Sequence, residues 1–188
     1  MVLFVGVYYM SEKSTTINVI VNADIYYRFY KFERFYRARG LVRPIVFACL
    51  FTLFATICII AEAHLPAAVL LIVGLGLPFY NIWNFFRMLK LQIKAFDLEN
   101  PKPVYSLHFS EKSDGIEVTN HGGGDGPLVY EWNNIHAVYR VLGCIYFYVL
   151  PDKAFLLPDG QAAGGDEALW EIITKMTPAE KIHDRRKH

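Results

Sequence analysis

The side chains best suited to chemistry in this sequence are scattered, and their spacing fits no known site. The histidines match neither the HxH nor the HExxH spacing of metal sites. They are His64, His108, His121, His136, His183 and His188. Glycines occupy residues 122–124, but Asp125 and an expected strand follow, whereas a phosphate-binding loop continues through Gly-Lys-Ser/Thr into a helix. We interpret the histidines as surface or hydrogen-bonded core residues and the glycine run as a hairpin tip.

Serines, carboxylates and cysteines also have plain structural interpretations. No serine lies in a nucleophile-elbow sequence. Carboxylates cluster around turns as Asp152, Asp159, Asp166 and Glu167. We expect solvated turn residues and one helix cap there, with a cation or partner site as the alternative. The cysteines at 49, 58 and 144 are odd in number and include no CxxC pair, so free thiols are expected rather than a disulfide or a zinc site. The sequence therefore predicts no enzyme, no catalytic residue, no metal and no cofactor.

The basic residues, by contrast, follow a clear pattern around two charge-free stretches, residues 45–61 and 65–86. Six basic residues precede the first stretch, three follow the second, and residues 62–64 between them contain neither Lys nor Arg. A helix needs about 20 apolar residues to cross a bilayer, with about 17 as the lower bound. The pattern predicts a transmembrane hairpin with spans at about 45–62 and 65–86. Buried core helices are the alternative, but they would need a larger soluble shell than this chain supplies.

The positive-inside rule places both chain ends of this hairpin in the cytoplasm and residues 62–64 outside. Trp83 lies where the inner aromatic belt is expected. The candidate site residues are thus those of the membrane interface. They are Arg28, Lys31, Arg34, Arg37, Arg39, Arg43, Trp83, Arg87 and Lys90. Residues 1–102 carry a net charge of +5 and residues 103–188 a net charge of −4, which favours membrane lipids over nucleic acid as a partner.

Residues 22–43 are predicted to form an amphipathic juxtamembrane helix. Asn22 and Asp24 are both good N-caps, and Glu33 precedes Arg37 by the four residues that favour a helical ion pair. Apolar residues at helical spacing form one stripe, namely Ile25, Phe29, Phe32 and Tyr36. The helix either lies in the membrane interface or packs on the cytoplasmic domain, and the two are compatible.

The remainder is predicted to be a small antiparallel β-barrel or sandwich closed by a helix, which makes the protein α+β. Strands are expected at 104–109, 116–119, 128–132, 135–141, 145–150 and 154–157, separated by turn sequences. Asp166 is expected to cap the closing helix, and Thr177 to open a last short helix with a capping box. A strand at about 15–21 has no local partner, so we expect it to join an edge of this sheet. Trp132, at the end of an alternating strand, is expected in the core.

These predictions divide the chain into an N-terminal strand region (1–21), the juxtamembrane helix (22–43), the hairpin (44–94), the β-domain with its closing helix (103–177) and a charged tail (178–188). Residues 1–10 are apolar but too short to span, and they lack the features of a signal peptide. A polar run follows Met10, as at a normal start, so residues 1–9 are either a start-site artefact or a loosely held strand.

This order of parts resembles the YcxB-like family. The resemblance is carried by residues 22–39 (NADIYYRFYKFERFYRAR), 114–119 (DGIEVT), 130–135 (YEWNNI), 146–148 (YFY) and 154–158 (AFLLP), with Phe109. It implies a bacterial inner-membrane protein whose cytoplasmic domain is related to bacterial pleckstrin-homology folds, with no assigned reaction. Asp159 stands where the family-like stretch usually has a basic residue, which speaks against an anion site there.

The function predicted first is a membrane-anchored cytoplasmic interaction module that binds a protein partner. The alternative is binding of lipid headgroups or sensing of the membrane surface by the juxtamembrane helix and the β-domain. A membrane-proximal enzyme ranks last, because neither span contains the ionisable residue that catalysis or transport would need. The hairpin could in addition mediate self-association.

Overall fold

A computed structural model describes residues 14–110, 114–121, 126–162 and 164–186. The chain is α+β and divides into two compact units. The β-rich unit comprises the chain up to Val21 and from Lys102 onward, and the hairpin unit is Asn22–Pro101. The expectations for residues 1–9 and for the glycine run 122–124 fall outside the described residues.

The described part of the β-rich unit contains eight strands in two four-stranded sheets. They are β1 (Ser14–Ile20), β2 (Pro103–Ser110), β3 (Gly115–Asn120), β4 (Leu128–Glu131), β5 (Ala137–Val141), β6 (Cys144–Leu150), β7 (Lys153–Pro158) and β8 (Ile182–Asp184). The first sheet has the order β1-β2-β3-β4 and is antiparallel throughout. The second has the order β7-β6-β5-β8, in which only the pair β5–β8 is parallel.

The two sheets do not close into the barrel that was one of the two expected forms. A 3-10 turn, Trp132–Asn134, separates β4 from β5, and β5 then pairs with β6 and β8 instead of β4. Each sheet therefore keeps its own edges. The seven strands expected from the sequence are present, with bounds that differ by one or two residues.

The expected edge pairing of the first strand is present in the structure. β1 pairs with β2 along its whole length, from Ser14 opposite Ser110 to Ile20 opposite Pro103. On the other side of β1, the Gln161 side chain accepts a hydrogen bond from the Ile20 amide and donates one to its carbonyl, both at 2.9 Å. One amide side chain thus satisfies the backbone groups that a further strand would otherwise pair.

Large aromatic side chains fill the core of the β-rich unit, as alternation along its strands predicts. Trp132 is buried, with Phe109 of the first sheet and Phe147 of the second each at a ring-centroid distance of 6.2 Å. Tyr105 is buried on β2, and its hydroxyl donates to the Leu156 carbonyl of β7 at 2.9 Å. The same hydroxyl accepts from the Leu156 amide at 2.7 Å. Burial raises the pKa of Tyr105, which keeps this hydroxyl protonated.

The C-terminal region corrects two predictions. Helix α4 is Asp166–Met176, but its N-cap is Gly165, and the Asp166 carboxylate instead accepts from the Gly160 amide at 2.9 Å. No helix with a capping box follows, because Thr177 is buried and its hydroxyl has no hydrogen-bond partner among the described residues. A single 3-10 turn leads to β8, so the expected charged tail contains a strand.

The hairpin unit contains three helices, which are α1 (Ala23–Lys31), α2 (Val42–Ile60) and α3 (His64–Ala95). As predicted, Asn22 caps α1, its side chain accepting from the Ile25 amide at 2.9 Å. α1 continues into a π-helical segment, Phe32–Arg37. α2 and α3 are each long and apolar enough to cross a membrane. α3 continues through Pro78 and beyond the predicted end of the second span.

Small residues form the contact between α2 and α3. The buried residues of these helices are Ala55, Ala67, Gly74 and Leu89. A methyl group added at Gly74 would overlap the Phe51 Cβ atom, whereas one added at Gly76 would meet nothing within 4 Å. Gly74 therefore permits close approach of the two helix backbones.

Candidate functional site

The connection between the π-helical segment and α2 positions the basic residues. The Ala38 amide bonds the Glu33 carbonyl at 2.9 Å, which ends the π-helical segment. Arg39 then takes a left-handed conformation with φ of 47°, and the Gly40 amide bonds the Arg34 carbonyl at 2.9 Å. A Cβ atom at residue 40 would overlap that carbonyl, so glycine is required for this close approach.

This turn helps to form a cleft of about 600 Å³, which we call the arginine cleft. Arg34, Arg39 and Arg43, all exposed residues, line it together with Asn81 of α3. Arg34 Nη2 donates to Asn81 Oδ1 at 3.2 Å. Three consecutive parts of the chain thus each contribute an arginine to the lining of one cleft.

The remaining wall of the arginine cleft is apolar. Phe47 of α2 and Leu77 and Pro78 of α3 supply an apolar lining. No Asp or Glu occurs among the described residues that line the cleft. The cleft therefore combines a net positive charge with an apolar surface, which suits an amphipathic anion and offers no acid, base or nucleophile for catalysis.

The structure separates the predicted interface residues by their partners. Arg28 forms an ion pair with Asp24, and Arg37 Nη1 lies 2.5 Å from Glu33 Oε1, as its spacing predicted. Lys31 Nζ lies 5.5 Å from the centroid of the Tyr27 ring. These three residues therefore lie beside groups of their own helical segment.

The other predicted residues form a second basic surface. Trp83, Arg87 and Lys90 line a groove of about 380 Å³ with Phe86, Leu91 and Lys94. All six belong to α3 and follow helical spacing, so they form one face of a single helix; we call it the α3 basic face. The structure thus divides the predicted membrane-interface residues into two surfaces and a set of local pairs.

Aromatic rings join the juxtamembrane segment to α3 and to Phe96, which follows it. The ring-centroid distances are 6.1 Å for Tyr26 with Phe96, 6.1 Å for Tyr27 with Phe86, and 5.4 Å for Phe35 with Phe85. Burial raises the pKa of Tyr26, and its hydroxyl reaches Gln92 at 3.5 Å.

Sequence reasoning missed Asn81 and the apolar wall of the arginine cleft. Asn81 lies inside a charge-free stretch and was counted as part of a span. A usable signal was present, because a polar amide in such a stretch, near its basic end, needs a hydrogen-bond partner. The apolar wall had no signal, since Phe47 and Leu77 resemble the other apolar residues of the two charge-free stretches.

A separate polar network lies in the β-rich unit. Buried Arg140 donates to both carboxylate oxygens of Glu167, at 3.0 and 2.6 Å, and its guanidinium lies 5.0 Å from the centroid of the Trp170 ring. Arg186 bonds Asp184 at 2.8 Å and Glu167 at 3.2 Å. Arg140 is therefore held by Glu167 of α4. Arg186, which follows β8, joins the same network through Glu167.

The pKa values of the carboxylates in and near this network are shifted by their neighbours. The hydrogen bond from Arg140 lowers the pKa of Glu167, and hydrogen bonds from Arg186 lower the pKa of Asp184 to about 2. Partial burial, followed by repulsion from Asp166, raises the pKa of Asp159. Because arginines neutralise Glu167, we do not assign the predicted acidic cluster as a cation site.

The histidines and cysteines take part in structural contacts. His108 hydrogen-bonds Thr16 at 2.9 Å, His121 bonds Ser106 at 2.8 Å, and His183 stacks on Tyr139 at 4.7 Å. No group of three or more His, Cys, Asp or Glu side chains could hold a metal ion within the part of the chain that the structure describes. No disulfide joins the three cysteines, all of which lie in that part.

No protein-family model, no curated protein and no solved structure shows significant similarity to this chain.

Proposed function

We propose that this chain is a two-span protein of the bacterial plasma membrane that holds its β-rich unit at the cytoplasmic face, where the unit acts as an interaction module for a protein partner. In this proposal α2 and α3 form the anchor, and the protein has no catalytic role. The architecture would then be that of the YcxB-like proteins, which the order of parts resembles.

The observation that carries the anchor is the inverted burial of α2 and α3. Many of their large apolar side chains are exposed, with Ile60 at 79%, Leu65 at 80% and Ile72 at 72%. Soluble proteins rarely expose contiguous apolar surface of this extent. A core helix of a soluble protein would bury such residues, and a bilayer is the environment that covers them on all sides.

Length and charge support the proposed orientation. At 1.5 Å per residue α2 is about 28 Å long and α3 about 48 Å, against about 30 Å for the hydrocarbon core. The excess length of α3 carries Arg87, Lys90 and Lys94 at its C-terminal end. Arg39 and Arg43 lie at the start of α2, so the basic residues collect on one side, where the positive-inside rule expects the cytoplasm.

Cysteine accessibility tests this orientation. In a variant with Cys49, Cys58 and Cys144 replaced by Ala, we expect Ala63→Cys to react with an impermeant maleimide added to intact cells. The matched Asp152→Cys variant, in an exposed turn of the β-rich unit, should react only after the cells are opened. The reverse pattern would overturn the orientation, and release of the protein by alkaline carbonate would overturn the anchor.

The open edge of the first sheet supports a protein partner. Gln161 covers the backbone of β1 at Ile20, whereas β4 pairs with β3 alone among the described strands and exposes Leu128 and Val129. An uncovered strand with exposed apolar side chains suits addition of a peptide strand.

A photocrosslinking residue at Val129 should capture a protein in native membranes. The same residue at Leu142, an exposed apolar turn position, should not; equal capture at both would contradict the proposal.

Binding of lipid headgroups is the second candidate function, and the arginine cleft is the observation that favours it. The net charge of −4 on residues 103–188 disfavours the β-rich unit as the headgroup site. The hairpin unit, which has nine Lys and Arg residues against five Asp and Glu, is the better place for lipid contact.

A further inference from the structure

We propose that the arginine cleft is a binding site for the phosphate group of an anionic phospholipid, with one acyl chain lying along Phe47 and Leu77. The inference depends on the proposed membrane anchor and goes beyond it by naming a ligand and the residues that hold it. The protein-binding role of the β-rich unit does not enter the argument.

The first support is uncompensated charge. Arg28 and Arg37 have carboxylate partners on their own helical segment. In contrast, the Arg39 and Arg43 side chains make no ion pair or hydrogen bond in the described structure, and Arg34 bonds only a neutral amide. Three arginines line the cleft and no carboxylate among its described lining residues offsets their charge, so an anion bound there is stabilised.

The second support is the match between donors and ligand. A guanidinium group presents several N–H donors in a planar fork, and it binds phosphate oxygens through two parallel hydrogen bonds. Asn81 adds an amide donor on the α3 side, since its Oδ1 already accepts from Arg34. A cleft of about 600 Å³ has room for a headgroup.

The apolar wall decides between a free phosphate and a lipid. Phe47, Leu77 and Pro78 border the same cleft as the arginines, although they contribute nothing to an inorganic ion. They belong to the helices whose outer surfaces are apolar, so an acyl chain can continue from the cleft along α2 and α3. An amphipathic anion uses both halves of the cleft, and we therefore assign a phospholipid.

The α3 basic face lacks the features that make a site. Its six residues all come from one helix, whereas the arginine cleft is lined by several segments of the chain. Exposed Lys and Arg on a single helix face attract anionic lipids diffusely, while their stems extend along the bilayer surface. This face carries the same kind of charge on the same side of the hairpin, and so it provides a matched control.

Lipid selectivity of the purified full-length protein tests the proposal. Native mass spectrometry in neutral detergent would compare phosphatidylglycerol with phosphatidylcholine. We expect phosphatidylglycerol to bind about tenfold more tightly, and the double variant Arg39→Gln/Arg43→Gln to lose about that factor, the scale of one charge-assisted hydrogen bond. The double variant Arg87→Gln/Lys90→Gln, which removes the same charge from the α3 basic face, should change the affinity less than twofold.

Each other outcome has a definite meaning. Equal losses in the two double variants would show diffuse attraction and overturn the site, as would no preference for the anionic lipid. Displacement of the lipid by excess inorganic phosphate would assign the cleft to a soluble anion and overturn the lipid. If Arg39→Gln disturbs the turn, Arg43→Gln alone should still weaken binding more than Arg87→Gln alone. A protein that remains in carbonate-washed membranes without this selectivity would refute the lipid site and leave the anchor intact.

Discussion

The hairpin unit and the β-rich unit bury opposite kinds of side chain. In α2 and α3, three of the four buried residues are small, namely Ala55, Ala67 and Gly74, with Leu89 as the fourth, and many large apolar residues are exposed. In the β-rich unit, large aromatics such as Phe109, Phe147 and Tyr148 are among the most deeply buried side chains. Water drives large apolar groups inward, whereas lipid is as apolar as they are and leaves close backbone packing to join the helices. This difference in burial is what the proposed anchor requires, with lipid around the hairpin and water around the β-rich unit.

The largest expected effect compares two tryptophans, one from each unit. Trp132→Ala should lower the free energy of unfolding by about 3–5 kcal/mol, because it leaves a cavity among core aromatics. Trp83→Ala should change it by less than about 0.5 kcal/mol, because that side chain is 62% exposed. Denaturant unfolding of the full chain in detergent, followed by near-ultraviolet circular dichroism, measures both. A fragment starting at residue 103 would not serve, since it lacks β1. If the two substitutions lowered the free energy of unfolding equally, the proposed difference in burial between the two units would be wrong.

A pair of glycines tests whether close helix packing holds the hairpin together. Gly74→Ala should cost about 1–3 kcal/mol, because its methyl group overlaps Phe51 and forces α2 and α3 apart. Gly76→Ala meets open space and should be neutral or stabilising by up to about 1 kcal/mol, through its helix propensity. Unfolding in mixed micelles of increasing dodecyl sulfate content gives both values. A destabilising Gly76→Ala would mean that residue 76, too, packs against another chain.

The protected edge of the β-rich unit can be opened by one substitution. Gln161→Ala removes two hydrogen bonds to Ile20 and should cost about 1–2 kcal/mol. Gln161→Glu keeps the acceptor and loses the donor, so it should cost less. Hydrogen exchange at the Ile20 amide should become faster in both, with β6 unchanged. If the Ile20 amide exchanges at the wild-type rate in the alanine variant, the side chain does not cover this edge.

The smallest predicted effect is acid loosening of β8. Because the pKa values of Glu167 and Asp184 are lowered on folding, their stabilisation is complete above the ordinary values of 4.5 and 3.8. It is lost as the pH falls, for Asp184 toward about 2. Asp159 has the opposite sign, since a raised pKa favours the folded state on protonation. The protection of the Ile182–Asp184 amides against hydrogen exchange should therefore fall between pH 4.5 and about 2. The fall should be clearer in Asp159→Asn, because this variant lacks the opposing contribution of Asp159.

The exchange experiment has an internal control. The amides of β6 lie in the centre of the second sheet and should keep their protection over the same pH range. Parallel loss of protection in β6 and β8 would mean that the whole unit unfolds in acid, and the ion network would then have no separate role at β8.

Much of the chain's local structure could be predicted from the sequence. Two charge-free stretches indicated two long helices, Asn22 indicated the start of α1, and alternation indicated the positions of seven strands and the burial of Trp132. These features depend on length, charge and periodicity over a few neighbouring residues. β8 was missed because its three residues carry no strand signal of their own. It forms because β5 offers a free edge and His183 stacks on Tyr139.

What the sequence by itself determined is where the chain is apolar, where it is basic and which segments become helix or strand, since neighbouring residues decide these properties. Only the tertiary structure decided that two sheets form instead of a closed barrel, that Arg140 meets Glu167, and that Arg34 meets Asn81 across 47 positions of sequence. The physical reason is that a cleft or an ion network depends on distances between residues remote in the chain. Those distances are set only when the helices and sheets have packed.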